Sequence, residues 1–281
     1  MAQRSDSASL LPAEAAAHYA AANERDRLSR GSGRLERLRT QEILQRYLPP
    51  PPAVIADVGG GTGLYACWLA GQGYEVHLID AVPLHVAQAQ EASRAQPERP
   101  IASVSVGDAR RLDLSDGTAD AVLLLGPLYH LTDRQDRLAA LREGRRILRP
   151  SGMLFAVGIS RFASALDGLK SGFLDDSDFG RIVERDLADG QHRNPTNHPW
   201  YFTTAFFHHP EELRREVAEA DLDCETLLAI EGPAWLLQDF DAHWDSPDRR
   251  ARLLQVVRRM EAEPSVLGVS AHLLAVAWKR P

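Results

Sequence analysis

The run Ile55-Ala56-Asp57-Val58-Gly59-Gly60-Gly61-Thr62-Gly63 constrains the fold more than any other part of the chain. Its apolar start at 54–56 reads as a strand, and residues 64–70 beyond it read as a helix. Glycines at 59, 61 and 63 between them allow positive φ and a close main-chain approach. Strand, tight turn and helix in so few residues make half of a βαβ unit, with a ligand able to lie at the helix N-terminus. The alternation continues, with strands expected at 76–79, 101–106, 119–125 and 153–158 and helices at 83–94 and 133–148. Such spacing implies a parallel sheet, and the apolar, non-alternating strands fit one covered on both faces.

Two segments stand outside that rhythm. The first 48 residues read as helices, alanine-rich at 13–22 and apolar at Leu35, Leu38, Leu44, Tyr47 and Leu48, with Gly31-Ser32-Gly33 as a break. Pro49 to Pro52 ends them, since proline lacks an N–H and biases its predecessor to extended geometry. Residues 1–48 are therefore expected as a helical lid and 49–281 as one domain. After Gly158 the pattern turns polar and aromatic until strand signals return at 225–230 and 273–278, with a helix at 248–260 between them. The stretch 160–222 reads as a cap inserted over the carboxyl edge of the sheet.

Composition removes several function classes. With 32 basic and 39 acidic residues the net charge is −7, whereas a bare nucleic-acid binder presents a basic surface. No apolar run approaches the roughly 18 residues of a membrane span, and residues 1–11 lack the hydrophobic stretch of a secretory signal. Cys67 and Cys224 sit in no CxxC motif, which fits a reduced cytoplasmic protein.

The glycine loop does not suit a dinucleotide. That fingerprint wants glycines at its first, third and sixth positions, and the sixth position from Gly59 is Leu64. Asp57 is also awkward beside a pyrophosphate and suits a cationic ligand, such as the ammonium and sulfonium of S-adenosylmethionine. Asp80 ends the second strand, where a carboxylate can accept both hydroxyls of a ribose. Gly107-Asp108-Ala109 ends the third, within reach of an adenine amino group.

Asp57 to Gly63, Asp80, Asp108-Ala109 and Leu125-Gly126-Pro127-Leu128-Tyr129-His130 resemble the successive motifs of class I S-adenosylmethionine-dependent methyltransferases. The resemblance implies a Rossmann-like seven-stranded α/β sheet of order 3-2-1-4-5-7-6 with its last strand antiparallel. It further implies that the loop of Gly59, Gly61 and Gly63 holds the methionine portion and Asp80 the ribose. Asp108 and Ala109 would meet the adenine, and the backbone near Leu125 and Gly126 the ammonium. These motifs span about residues 53–158 and say little about the acceptor.

Candidates for the acceptor side come from elsewhere. Tyr129 and His130 fall where such enzymes place residues beside the transferred methyl, where His130 can serve as a base or the two can simply shape the pocket floor. Tyr19 is a candidate to reach in from the N-terminal helices. Residues 191–209 gather His192, Arg193, Asn194, His198, Trp200, Tyr201, His208 and His209. Their histidine spacing fits neither HExxH nor a Cys/His finger, so no metal is expected, and His192, Arg193 and Tyr201 are read as lining an acceptor pocket. The function implied is methyl transfer to a small oxygen or nitrogen nucleophile. Two other uses of the same motifs stay open: cyclisation of the cofactor with loss of methylthioadenosine, and cofactor binding without catalysis.

Overall fold

The computed structural model describes residue 14 and residues 24–281. Strands β1 (Val54–Val58), β2 (Glu75–Asp80), β3 (Ser103–Val106), β4 (Ala119–Leu124) and β5 (Leu148–Ser160) lie parallel in the order β3-β2-β1-β4-β5. Two short strands follow, β6 (Gln191–His192) and β7 (Ala205–His208), then β8 (Leu222–Ala229) and β9 (His272–Lys279). β9 runs antiparallel between β5 and β8. Counting β8 and β9 as the sixth and seventh strands of the common sheet, the order is the expected 3-2-1-4-5-7-6 with the last strand antiparallel.

The pleat sends successive residues to opposite faces, and both faces are apolar. Ile55, Leu78, Leu123, Phe155 and Val276 pack with Ile43, Leu44 and Leu69 from the helices Gly33–Tyr47 and Leu64–Gly71. Ala56, Val122, Leu124, Leu154 and Ala275 pack with Leu141 and Leu213 from the helices Arg134–Ile147 and Pro210–Glu219. The helix Gly33–Tyr47 thus belongs to one face of the core. It also meets the segment between β8 and β9, where Leu35 packs with Phe240, Trp244 and Val257 and the fully buried Arg39 pairs with Glu42 and Glu261.

The stretch 160–222 divides in two. Its first part is a cap, with helices Ala163–Ser171 and Ser177–Asp189 and the hairpin of β6 and β7. Its second part belongs to the sheet: β7 pairs parallel with β5 at Ile159 and Ser160, and the helix Pro210–Glu219 covers a face. β4 pairs with β5 only as far as Ala156, so β7 occupies the same side of β5 beyond the end of β4. The cap hairpin therefore stands over the carboxyl end of β4. The buried pair of Arg137 with Glu216, 2.7 Å apart, ties the two helices of that face together; burial raises the Glu216 carboxyl, but its contacts with His208 and Arg137 outweigh that and hold it down at about 2.

Candidate active site

β1 delivers its last residues directly into the glycine loop. Gly59 continues the ladder to β2, its N–H donating to the Ile79 carbonyl at 2.7 Å. Gly59, Gly61 and Gly63 all take positive φ, at 74°, 56° and 84°. The three do different work. A Cβ on Gly59 would stand 2.6 Å from the Pro127 ring, and one on Gly63, which caps the next helix, 3.1 Å from Ala89. A Cβ on Gly61 would meet nothing within 4 Å. Gly61 is the glycine whose missing side chain leaves open space, and it lines a cleft at the carboxyl ends of β1, β2, β3 and β4.

Three strand-end carboxylates face that cleft. Asp57 is buried, and its Oδ2 has no hydrogen-bond partner. Burial, and to a lesser extent the charge of Asp80, push its carboxyl up to about 7. An orphaned carboxyl oxygen beside the cleft leaves an acceptor for a hydrogen-bond donor to complete. Asp80 is held by main chain on both sides, its Oδ2 accepting from the Gly61 N–H and its Oδ1 from the Val82 N–H, each at 2.8 Å. The His85 Nδ1 also lies 3.3 Å from Oδ1, so Oδ2 is the oxygen with a lone pair to spare. Asp80 therefore shapes the glycine loop as well as facing the cleft. Asp108 is gripped by Arg110, whose Nη2 lies 2.7 Å from Oδ2. Burial raises the Asp108 carboxyl, but the Arg110 contacts outweigh it and hold it below the usual range. Ala109, Leu125 and Gly126 line the same cleft, whereas Gly63 does not.

A second cavity adjoins the first, and Tyr129 and Arg27 line both. Its walls are aromatic: Tyr129, Phe179, Tyr201, Phe202, Phe207 and Trp235. Trp235 is fixed by its indole N–H donating to the Val269 carbonyl at 2.8 Å, with Lys170 over its ring. Of the residues expected from the cap, His192 and Tyr201 line this cavity, but both are committed to holding the cap together. The His192 ring is fully buried, with Nε2 2.8 Å from the Tyr201 carbonyl and Nδ1 2.7 Å from Asp186. Both ring nitrogens thus face acceptors. The Tyr201 hydroxyl donates to Asp176 at 2.8 Å. Arg193 lines neither cavity; its guanidinium donates to the carbonyls of His192 and Ala205 and to Gln191, bracing the hairpin. His130 lines the first cleft and Tyr129 both, while Tyr19 lies outside the described residues.

Residues 56–156 match the family model described as a methyltransferase domain. The ubiquinone/menaquinone biosynthesis C-methyltransferase of Caulobacter vibrioides is 33% identical over 141 residues, covering 46% of this chain and 53% of that protein. The demethylmenaquinone methyltransferase of Beutenbergia cavernae is 32% identical over 135 residues, covering 48% and 51%. Among solved structures, an S-adenosylmethionine-dependent methyltransferase from Methanosarcina mazei superposes with a TM-score of 0.57 at 19% identity, covering 85% of this chain and 97% of that one. This chain carries a class I S-adenosylmethionine-dependent methyltransferase domain. It spans about half the length of the curated relatives it matches.

The cofactor of this methyltransferase family is S-adenosylmethionine. Its match ends near β5, so the cap and the 231–271 segment lie beyond it. Sequence reasoning missed a group of polar residues that lie outside the matched region on either side of it. Arg27, Glu36, Glu231 and His272 meet where the two cavities adjoin, with Arg27 Nη1 2.6 Å from Glu36 and His272 Nδ1 2.6 Å from Glu231. Ligand atoms of Glu36, Glu231 and His272 all lie within 4.8 Å, but Arg27 already supplies the cation that neutralises Glu36. Four residues so far apart in the chain leave no local motif. Among the described residues no helix is long and apolar enough to cross a membrane.

Proposed function

We propose that this chain transfers a methyl group from S-adenosylmethionine, bound in the glycine-loop cleft, to a small acceptor bound in the aromatic cavity beside it. The observation that carries the reading is the shared wall: Tyr129 and Arg27 line both spaces, so donor and acceptor sit across one boundary. Bound there, the cofactor supplies an electrophilic methyl on a sulfonium. The protein contributes alignment and exclusion of water, which account for most of what such a displacement needs.

The residues present fit the cofactor. Gly59 and Gly61 offer bare main chain to its methionine portion, and Asp57 offers an unpartnered oxygen to its cationic end. Asp80 Oδ2 has a lone pair left for a ribose hydroxyl, and Asp108 and Ala109 border the place for adenine. The backbone at Leu125 and Gly126 would meet the ammonium. The acceptor side favours a planar ring, because aromatic walls reward stacking and edge contacts. The relatives named for quinone biosynthesis point the same way.

The test is incubation of the purified protein with S-adenosylmethionine and a panel of phenols and quinols, following S-adenosylhomocysteine release. Acceptor-dependent release supports methyl transfer. Release of methylthioadenosine from the cofactor alone would replace it with the cyclisation reading.

A further inference from the structure

A histidine absent from the sequence candidates faces the second cavity. His272 opens β9, paired with Ile159 of β5, and is one of the residues lining that cavity. Its Nδ1 lies 2.6 Å from Glu231 Oε1. Glu231 is itself locked, its Oε2 accepting from the Ser270 hydroxyl at 2.8 Å and from the His272 N–H at 3.0 Å. The Ser270 oxygen in turn accepts from the N–H groups of Glu231 and Gly232, each at 3.1 Å. Fixing Nδ1 as the donor leaves Nε2, which makes no hydrogen bond to the described residues, as the nitrogen available to a ligand. A carboxylate-oriented imidazole with one nitrogen free is an arrangement for holding or moving a proton.

The other histidines near the site are placed differently. Both nitrogens of His192 face acceptors, His208 is fully buried against Glu216, and His130 lines the cofactor cleft. The charged groups around His272 are Glu231, Glu36 from the helix Gly33–Tyr47 at 4.0 Å, and Arg27, which is paired with Glu36. Burial pulls the imidazole pKa down, but the two carboxylates outweigh both that and Arg27 and push it up to about 9.

We propose that His272, oriented by Glu231, is the proton-holding residue of the acceptor site, and that the acceptor is a phenol-class molecule whose hydroxyl is ionised against Nε2. This rests on the second cavity being the acceptor site. An amine acceptor in its ammonium form would face a like charge at Nε2, whereas a phenolate gains an opposite one, and its ring meets Tyr129, Phe202, Phe207 and Trp235. The hydroxyl proton passes to Nε2 when the imidazole is neutral, and to solvent when the imidazolium is already formed. Either route ends in the same imidazolium–oxyanion pair. In the transfer, an oxygen lone pair forms the bond to the methyl carbon, and the carbon–sulfur bond breaks with its electrons left on sulfur.

The experiment uses 4-nitrophenol as the probe, added to the full chain loaded with S-adenosylhomocysteine at a pH below the free phenol's own pKa. The wild type is expected to bind it and develop the phenolate absorbance band. His272→Asn, whose amide can still donate to Glu231, is expected to lower that band about tenfold while S-adenosylhomocysteine affinity stays within about threefold. Glu231→Gln should weaken it in the same direction, and carries the test if the His272 variant fails to fold. A band that survives in the folded variants, or probe bound without ionisation, overturns the assignment of His272. Failure of the wild type to bind the probe overturns the phenol class. Calorimetry with S-adenosylhomocysteine comes first, so that loss of the cofactor reading is seen separately.

Discussion

Replacing Gly61 by alanine separates folding from cofactor binding. In the ligand-free protein the new Cβ meets nothing within 4 Å, so its cost is the left-handed backbone alone, at φ +56°. For a residue with a side chain that is about 1–2 kcal/mol, or roughly 2–4 °C in melting temperature for a chain of this size. If the cofactor's methionine portion lies against Gly61, the methyl takes space the ligand needs. Overpacking of a tight contact costs about 1–3 kcal/mol, which weakens binding roughly 5–150-fold. Gly59→Ala is the contrast, because its Cβ would stand 2.6 Å from Pro127 and the penalty falls on the fold itself. Thermal melts and titration calorimetry with S-adenosylhomocysteine on both variants make the comparison. A Gly61→Ala protein that melts slightly lower yet binds within twofold of wild type would show that no ligand approaches that glycine.

Three further outcomes follow from the same geometry. Because the folded Asp57 carboxyl is raised to about 7, above an unfolded value near 3.9, its contribution to stability is intact below about pH 4 and is lost as pH rises through 7. Asp57→Asn should therefore stabilise the ligand-free protein more at pH 8 than at pH 5, and a pH-independent difference in melting temperature would contradict it. Asp80→Ala removes two hydrogen bonds to main chain as well as the ribose contacts, so it should lower the melting temperature and weaken S-adenosylhomocysteine at least tenfold, about 1.4 kcal/mol; calorimetry showing unchanged affinity would move the ribose elsewhere. In the cap, His192→Ala leaves the buried Asp186 with the Ser164 hydroxyl as its remaining side-chain partner and should cost about 1–3 kcal/mol by urea denaturation, whereas Tyr201→Phe gives up one hydrogen bond worth about 1 kcal/mol and should leave S-adenosylhomocysteine affinity within about threefold.

The cofactor half of the molecule is readable in the chain because its physics is local. Glycines that need positive φ and aspartates that end strands sit within a few residues of the elements they serve, as at Gly59, Gly61, Asp57 and Asp80. The covered parallel sheet follows from that alternation and from the apolar runs of its strands, whereas the strand order came from the resemblance of the motifs to a known family. What escaped was longer in range. β7 is four buried residues, Ala205 to His208, set among polar neighbours, and its pairing with β5 supplies the reason it is a strand. The helix Pro210–Glu219 was absorbed into the cap for the same reason. His192 looks like an acceptor ligand in a polar stretch, and only the positions of Asp186 and the Tyr201 carbonyl commit both its nitrogens. His272 lies at the head of an apolar strand, and Glu231 reaches it only once β8 and β9 pair.

The central claim, that the glycine-loop cleft takes S-adenosylmethionine and not a dinucleotide, is tested most directly by titrating S-adenosylhomocysteine and NAD into the same ligand-free protein. The account predicts saturable binding of S-adenosylhomocysteine at one site per chain, weakened by Gly61→Ala, and no heat from NAD. Saturable NAD binding with no response to S-adenosylhomocysteine would contradict it.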